Sequence, residues 1–234
     1  TLVALRTIGC EGTIGSWVPT LDALEWIAAN GVRPAVINMS LAGPQSDDVD
    51  DMVQNLTGLG FPVAVGAGNA DTVSLPGADH CDDLSPAGEP AALTVGSSTL
   101  VDGRTYFTNY GDCLDLFAPG QSVMSIDTVG SPVQSAGGTS IAAPHVAGAA
   151  AMYLQLHPTA SAATVASSLV AASYPYTINY PGPYPTSRLL NVAFMFPAVP
   201  LSVSISGRAT VRLGSTCTWR AIVGPGPGQY TYRW

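Results

Sequence analysis

Apolar positions along the first two-thirds of the chain follow two alternating periods. Residues 35–39 (AVINM), 61–65 (FPVAV) and 92–95 (ALTV) are short, nearly unbroken apolar runs. That is the pattern of strands buried on both faces of a parallel sheet. Residues 1–9 alternate weakly and predict a further strand. Between these runs the period lengthens. Leu21, Leu24, Trp26, Ile27 and Ala28 recur at helical spacing, with Thr20 as the N-cap and Asn30-Gly31 as the stop. Val49, Met52, Val53 and Leu56 predict a second helix. Asp47, Asp48, Asp50 and Asp51 gather near its N-terminus, where the helix dipole favours negative charge. Strands alternating with helices predict an α/β fold: a mostly parallel sheet with helices on both faces.

Residues 137–156 depart from that alternation. Ala142, Ala143, Ala147, Gly148, Ala149, Ala150 and Ala151 make the segment small and apolar on every side, which predicts a buried helix. A second helix is expected over about Ala160 to Ala171, and the Pro- and Tyr-rich stretch 177–188 is expected to be a surface loop. Beyond residues 197–200, read as a linker, residues 201–205 and 210–213 alternate with period two and a GPGPG turn follows. That is all-β chemistry. Three segments are therefore expected: 1–196, 197–200 and 201–234.

Composition narrows the function. The 234 residues are 47% hydrophobic and 10% charged, which excludes intrinsic disorder. The formal charge of −8 has the wrong sign for a nucleic-acid binder. All 16 carboxylates lie within residues 1–127, and lysine is absent. The longest apolar run, Ile141 to Leu156, contains Pro144 and His145 and is shorter than the roughly 20 residues a spanning helix needs. The first residue is Thr1, no signal peptide precedes it, and the final TYRW stops inside a strand-like pattern. The chain is expected to be cut at both ends.

The strongest chemical signal is residues 137–148 (GGTSIAAPHVAG). Two glycines allow close backbone approach to a substrate. Ser140 then stands at the start of a buried helix, where free N–H groups and the dipole stabilise an oxyanion. Pro144 lacks the N–H that would bond the Ser140 carbonyl, and is expected to kink the helix. A second motif, residues 63–69 (VAVGAGN), brings a strand to Asn69. A third, residues 38–43 (NMSLAG), is another strand and turn.

In this order the three motifs resemble those of the subtilisin family of serine proteases, over about residues 1–195. The resemblance implies Ser140 as nucleophile and Asn69 as the side-chain donor to the developing oxyanion. It implies that Ser40, Leu41, Ala42 and Gly43 pair with the substrate backbone and line its pocket, together with Ala67 and Gly68. The family usually has Gly where this chain has Ala42. Residues Gly12 to Gly15 resemble the opposing substrate-binding loop. Residues 85–90 (SPAGEP), 107–111 (FTNYG) and 114–120 (LDLFAPG) point to the proteinase K/aqualysin-like branch. There the positions of Asp115, Pro90 and Ala92 hold a structural calcium ion, and hard oxygen ligands suit calcium. No cofactor is required for the chemistry. In aqualysin-like members the positions of Cys81 and Cys113 form a disulfide, which implies an oxidising, extracellular setting. Cys10 resembles a cysteine whose partner lies upstream. Cys217 and Trp219 resemble the first Cys and following Trp of an immunoglobulin-like domain.

The family order is Asp, His, Ser. None of His80, His145 and His157 stands in a HGTH-like setting, and no Asp-Thr-Gly or Asp-Ser-Gly follows an apolar strand. The base and its orienting acid are expected upstream of residue 1, so the upstream segment of the same protease domain is an expected partner. Ser140 without a base is a weak nucleophile. The implied parent is a secreted, monomeric serine endopeptidase that cleaves protein or peptide substrates through an acyl-enzyme. The isolated chain is expected to be inactive. The alternative is a non-catalytic binding or adhesion module of the same shape carrying Ig-like repeats.

Overall fold

The structure is a computed structural model that describes residues 1–8, 16–69, 80–126, 130–134, 137–175, 188–196, 203–206 and 220–223. The chain divides into two units, Thr1–Met195 and Phe196–Trp234.

In the first unit a four-stranded sheet runs in the order β1 (Ile37–Met39), β3 (Val63–Gly66), β5 (Leu93–Ser98), β6 (Leu116–Pro119). All three neighbouring pairs are parallel. Parallel neighbours require crossovers, and an α-helix supplies the one between β1 and β3. α1 (Val18–Asn30) precedes β1, α2 (Asp47–Gly58) joins β1 to β3, and α3 (Thr139–Leu156) and α4 (Ala162–Ala172) follow β6. Two short antiparallel pairs decorate this frame: β2 (Gly43–Pro44) with β4 (Leu84–Ser85), and β7 (Met124–Ile126) with β8 (Pro132–Gln134).

The pleat of β3 sorts its residues between two cores. Val63 and Val65 join Ile37, Met39, Leu24, Val49, Val53 and Leu56 beneath α1 and α2. Ala64 joins Leu93, Val95, Leu116 and the α3 residues Ala142, Ala143, Val146, Ala149 and Ala150 on the other side. The α3 side of β3 carries only Ala64 and Gly66. At Gly66 a Cβ would meet Thr139 Oγ1 at 3.1 Å, the Thr139 carbonyl carbon at 3.2 Å and Ser140 N at 3.3 Å. Small side chains on both surfaces let the start of α3 lie directly on the end of β3.

Three local expectations change. α1 begins at Val18, so Thr20 is buried within the helix and does not cap it; the Ser16 hydroxyl accepts the Val18 N–H at 3.1 Å and Pro19 fits the first turn. Residues 1–7 belong to no strand, because no described strand lies alongside to form a ladder with them, and Leu2 and Val3 are exposed. α3 is buried on one side only. Pro144, His145, Gly148 and Ala151 face solvent, where small apolar groups cost little. The helix runs continuously through Pro144. α4 is capped by Ser161, whose hydroxyl accepts the Thr164 N–H at 3.1 Å.

In the second unit β9 (Val203–Ser206) pairs antiparallel with β10 (Arg220–Val223). Cys217, Trp219 and Trp234, on which the immunoglobulin-like expectation rests, lie outside the described residues, as do Cys10 and the loop Gly12 to Gly15.

Candidate active site

Parallel sheets place ligand sites beyond the carboxyl ends of their strands. Here β1 and β3 end beside the start of α3. β1 runs out into Ser40, Leu41, Ala42 and Gly43, and β3 runs out into Ala67, Gly68 and Asn69. Of the seven predicted substrate-binding residues, Ser40 reaches the Ser140 carbonyl through its hydroxyl and Gly68 reaches Thr139 through its N–H, while Leu41, Ala42, Gly43 and Ala67 lie in the same two strand-end segments. The seventh, Gly12, lies outside the described residues.

Gly68 makes the turn possible. It has φ +93°, a left-handed backbone that suits glycine, and a Cβ there would meet the Asn109 side-chain nitrogen at 2.5 Å. Its N–H donates to Thr139 Oγ1 at 3.1 Å, and its carbonyl accepts the Asn109 N–H at 3.0 Å. The chain then presents Asn69 to the first residue of α3. Asn69 Oδ1 accepts the Thr139 N–H at 3.0 Å and the Thr139 hydroxyl at 3.3 Å. Those two bonds settle which way the amide points, because only its oxygen accepts. The Nδ2 end is turned the other way. It lies 3.8 Å from the point where a Cβ on Gly138 would stand, and Ser140 Oγ lies 2.9 Å from the same point. The amide donor and the hydroxyl therefore flank the bare Cα of Gly138.

Ser140 is half-buried in the first turn of α3. The first N–H groups of a helix have no partner within it, and among the described residues the Ser140 N–H bonds to nothing else. Two donors, this N–H and Asn69 Nδ2, border the Ser140 hydroxyl. The Gly138 N–H is held by the Gly120 carbonyl at 2.8 Å, and the Phe107 ring packs where a Cβ on Gly137 would stand. Sequence reasoning missed the part played by Thr139, which joins the two motifs. It stands inside the GGTS run, and a Thr at the first position of a helix is the signal that would have found it.

The three histidines are engaged elsewhere. His145 Nδ1 lies 2.9 Å from the Ile141 carbonyl, His157 packs on Tyr153 at 4.5 Å, and His80 on Tyr110 at 4.4 Å. Among the described residues no side chain is hydrogen-bonded to Ser140 Oγ.

The family model described as the subtilase family matches residues 2–193. The chain belongs to the subtilase family. Among curated proteins this subtilase is 44% identical over 195 residues to an extracellular serine proteinase of Thermus sp. (strain Rt41A), a match covering 83% of this chain and 46% of that one. It is 40% identical over 170 residues to alkaline serine exoprotease A of Vibrio alginolyticus, covering 73% and 30%. The subtilase thus spans less than half the length of these relatives. Its structure resembles the crystal structure of a cold adapted subtilisin-like serine proteinase, with TM-score 0.72 and 34% identity over 79% of this chain and 64% of that one. The fold is subtilisin-like.

Two predicted features stand away from Ser140. Cys81 and Cys113 are bonded, with Cα atoms 6.0 Å apart and a sequence separation of 32. Asp115 lies beside β5, where its carboxylate accepts the Thr94 N–H at 2.8 Å and its own N–H donates to the Thr94 carbonyl at 3.0 Å. Burial raises its pKa to about 6, against the lowering effect of the Thr94 bond. No basic side chain of the described residues pairs with it, and the Pro90 carbonyl accepts no hydrogen bond among them. A largely buried carboxylate with no basic partner among the described residues is of the chemistry that suits a hard cation.

Proposed function

We propose that this subtilase is the nucleophile-bearing portion of a secreted serine endopeptidase. Ser140 attacks the carbonyl of a peptide bond, an acyl-enzyme forms on its Oγ, and water releases it. The observation that carries the reading is the pair of donors, Asn69 Nδ2 and the Ser140 N–H, set around the Ser140 hydroxyl at a helix N-terminus. As the carbonyl oxygen gains charge, both donors and the helix dipole stabilise it. Ser40, Leu41, Ala42 and Gly43 on one side, and Ala67 and Gly68 on the other, would seat the extended substrate backbone. The base and its orienting acid would come from outside the described residues, and the isolated chain would be inactive. The relatives named extracellular and exoprotease support secretion, as does the Cys81–Cys113 bond. Residues 201–234 would begin an Ig-like domain, and the protease would act as a monomer. Asp115, with the Pro90 and Ala92 carbonyls, would hold a calcium ion that neutralises the buried carboxylate and braces the turn into β5.

The test is labelling of the full-length protein by a phosphonate or sulfonyl fluoride, reagents that need an activated nucleophile and an oxyanion site. Ser140 is expected in the labelled peptide. A labelled peptide without Ser140 overturns the assignment, and no labelling of a folded full-length protein favours a non-catalytic binding module.

A further inference from the structure

We infer that Ser40 is a positioning residue for Ser140: its hydroxyl, held by the Asn38 amide, replaces the helix hydrogen bond that Pro144 removes from the Ser140 carbonyl. The inference rests on the proposal that Ser140 is the nucleophile. In an α-helix the carbonyl of residue 140 accepts the N–H of residue 144. Pro144, inside α3, has no N–H, and its ring crowds that carbonyl. The Ser40 hydroxyl fills the gap from another element, 100 residues away in sequence, with its Oγ 2.7 Å from the Ser140 carbonyl oxygen.

The donor order is unambiguous. A serine hydroxyl has one proton, and a carbonyl can only accept, so that proton goes to Ser140. The Ser40 oxygen in turn accepts from Asn38 Nδ2 at 2.9 Å. The chain runs one way, from amide to hydroxyl to carbonyl, and each bond polarises the next.

This chain completes the clamp on the first turn of α3. Gly138 is fixed through its N–H by Gly120, and Thr139 through its N–H and hydroxyl by Asn69 and Gly68. The Ser140 carbonyl is the acceptor of that turn from which Pro144 withholds the helical partner, and Ser40 takes it. Asn38 lies in β1 and Ser40 directly follows it, so the edge of the sheet is tied to the residue whose Oγ must meet the substrate. Ser40 also opens the segment proposed to pair with the substrate backbone. The seat of the substrate and the nucleophile thus share one residue.

The experiment measures kcat and KM of the full-length protein on a peptide substrate. Ser40→Ala is expected to lower kcat about tenfold, with KM within about twofold and Tm nearly unchanged. Ser40→Thr, which keeps the hydroxyl at an exposed position, is expected to recover most of kcat. Pro144→Ala gives residue 144 its N–H back, so in that background Ser40→Ala should lose most of its effect. A Ser40→Ala kcat within about twofold of the parent, or an equal loss in both backgrounds, overturns the inference and leaves Ser140 as nucleophile. Activity retained by Ser140→Ala overturns the underlying assignment instead. If Pro144→Ala does not fold, Ser40→Thr decides: a kcat equal to that of Ser40→Ala overturns the positioning role.

Discussion

Replacing Asp115 by Asn should stabilise the metal-free protein at alkaline pH and abolish its response to calcium. Burial raises the Asp115 pKa from 3.8 to about 6. At 1.36 kcal/mol per unit, keeping the carboxylate ionised costs the fold up to about 3 kcal/mol. The folded state holds the proton more tightly than the unfolded chain does. This contribution to stability is therefore fully present below about pH 4 and is lost as pH rises through about 6. Asp115→Asn removes the charge and keeps an oxygen for the Thr94 N–H. In EDTA at pH 8 the variant should gain up to about 3 kcal/mol, or about 6–12 °C in Tm for a chain of this size. Near pH 4 the two proteins should melt together. Calcium at a thousandfold excess over Kd should reverse the order, because binding to the folded wild type alone then adds about 4.1 kcal/mol, whereas a gain of about 2.7 kcal/mol at a hundredfold excess would only bring the two proteins level. Calorimetric melts of the full-length protein, with Ser140→Ala to prevent self-digestion, read both effects. A variant less stable than its parent at pH 8 in EDTA would refute the burial argument. An equal calcium gain in both proteins would remove Asp115 from the calcium site.

Non-reducing peptide mapping should find Cys81 bonded to Cys113, and Cys113→Ser should cost roughly 3–4 kcal/mol, since the bond closes a loop of 32 residues. Asn69→Asp keeps the oxygen that holds Thr139 but loses the Nδ2 donor. Activity should therefore fall by on the order of 100- to 1000-fold while Tm stays near that of the parent, the magnitude being the one known for such a donor in a subtilisin. Gly66→Ala puts a methyl 3.2 Å from the Thr139 carbonyl carbon and 3.3 Å from Ser140 N. It should lower kcat more than it raises KM, because it displaces the first turn of α3 without touching the segment Ser40–Gly43.

Much of this subtilase is legible along the chain because the responsible forces are local. The unbroken apolar runs of β1, β3 and β5 can be buried only between two layers of helices. The run of small residues from Ala142 to Ala151 belongs to a helix that packs closely, and the glycines before Ser140 mark a backbone that something must approach. Local chemistry misplaced the start of α1, because Ser16 and Pro19 compete with Thr20 for the same turn. It also read residues 1–9 as a strand, although a strand exists only with a neighbour to bond. What only the tertiary structure decided is orientation across long separations. Asn69 can turn either end of its amide outward, and the Thr139 N–H selects the donor end. The missing hydrogen bond at Pro144 is visible in the sequence, but the group that replaces it sits on another strand, and no spacing rule reaches Ser40 from Ser140. The resemblance picks Asp115 out from 16 carboxylates, but its burial, and the raised pKa that follows, come only with folding. Periodicity encodes which surface a residue faces. Which donor meets which acceptor depends on where separate elements come to rest, and that is settled only when the sheet and helices pack.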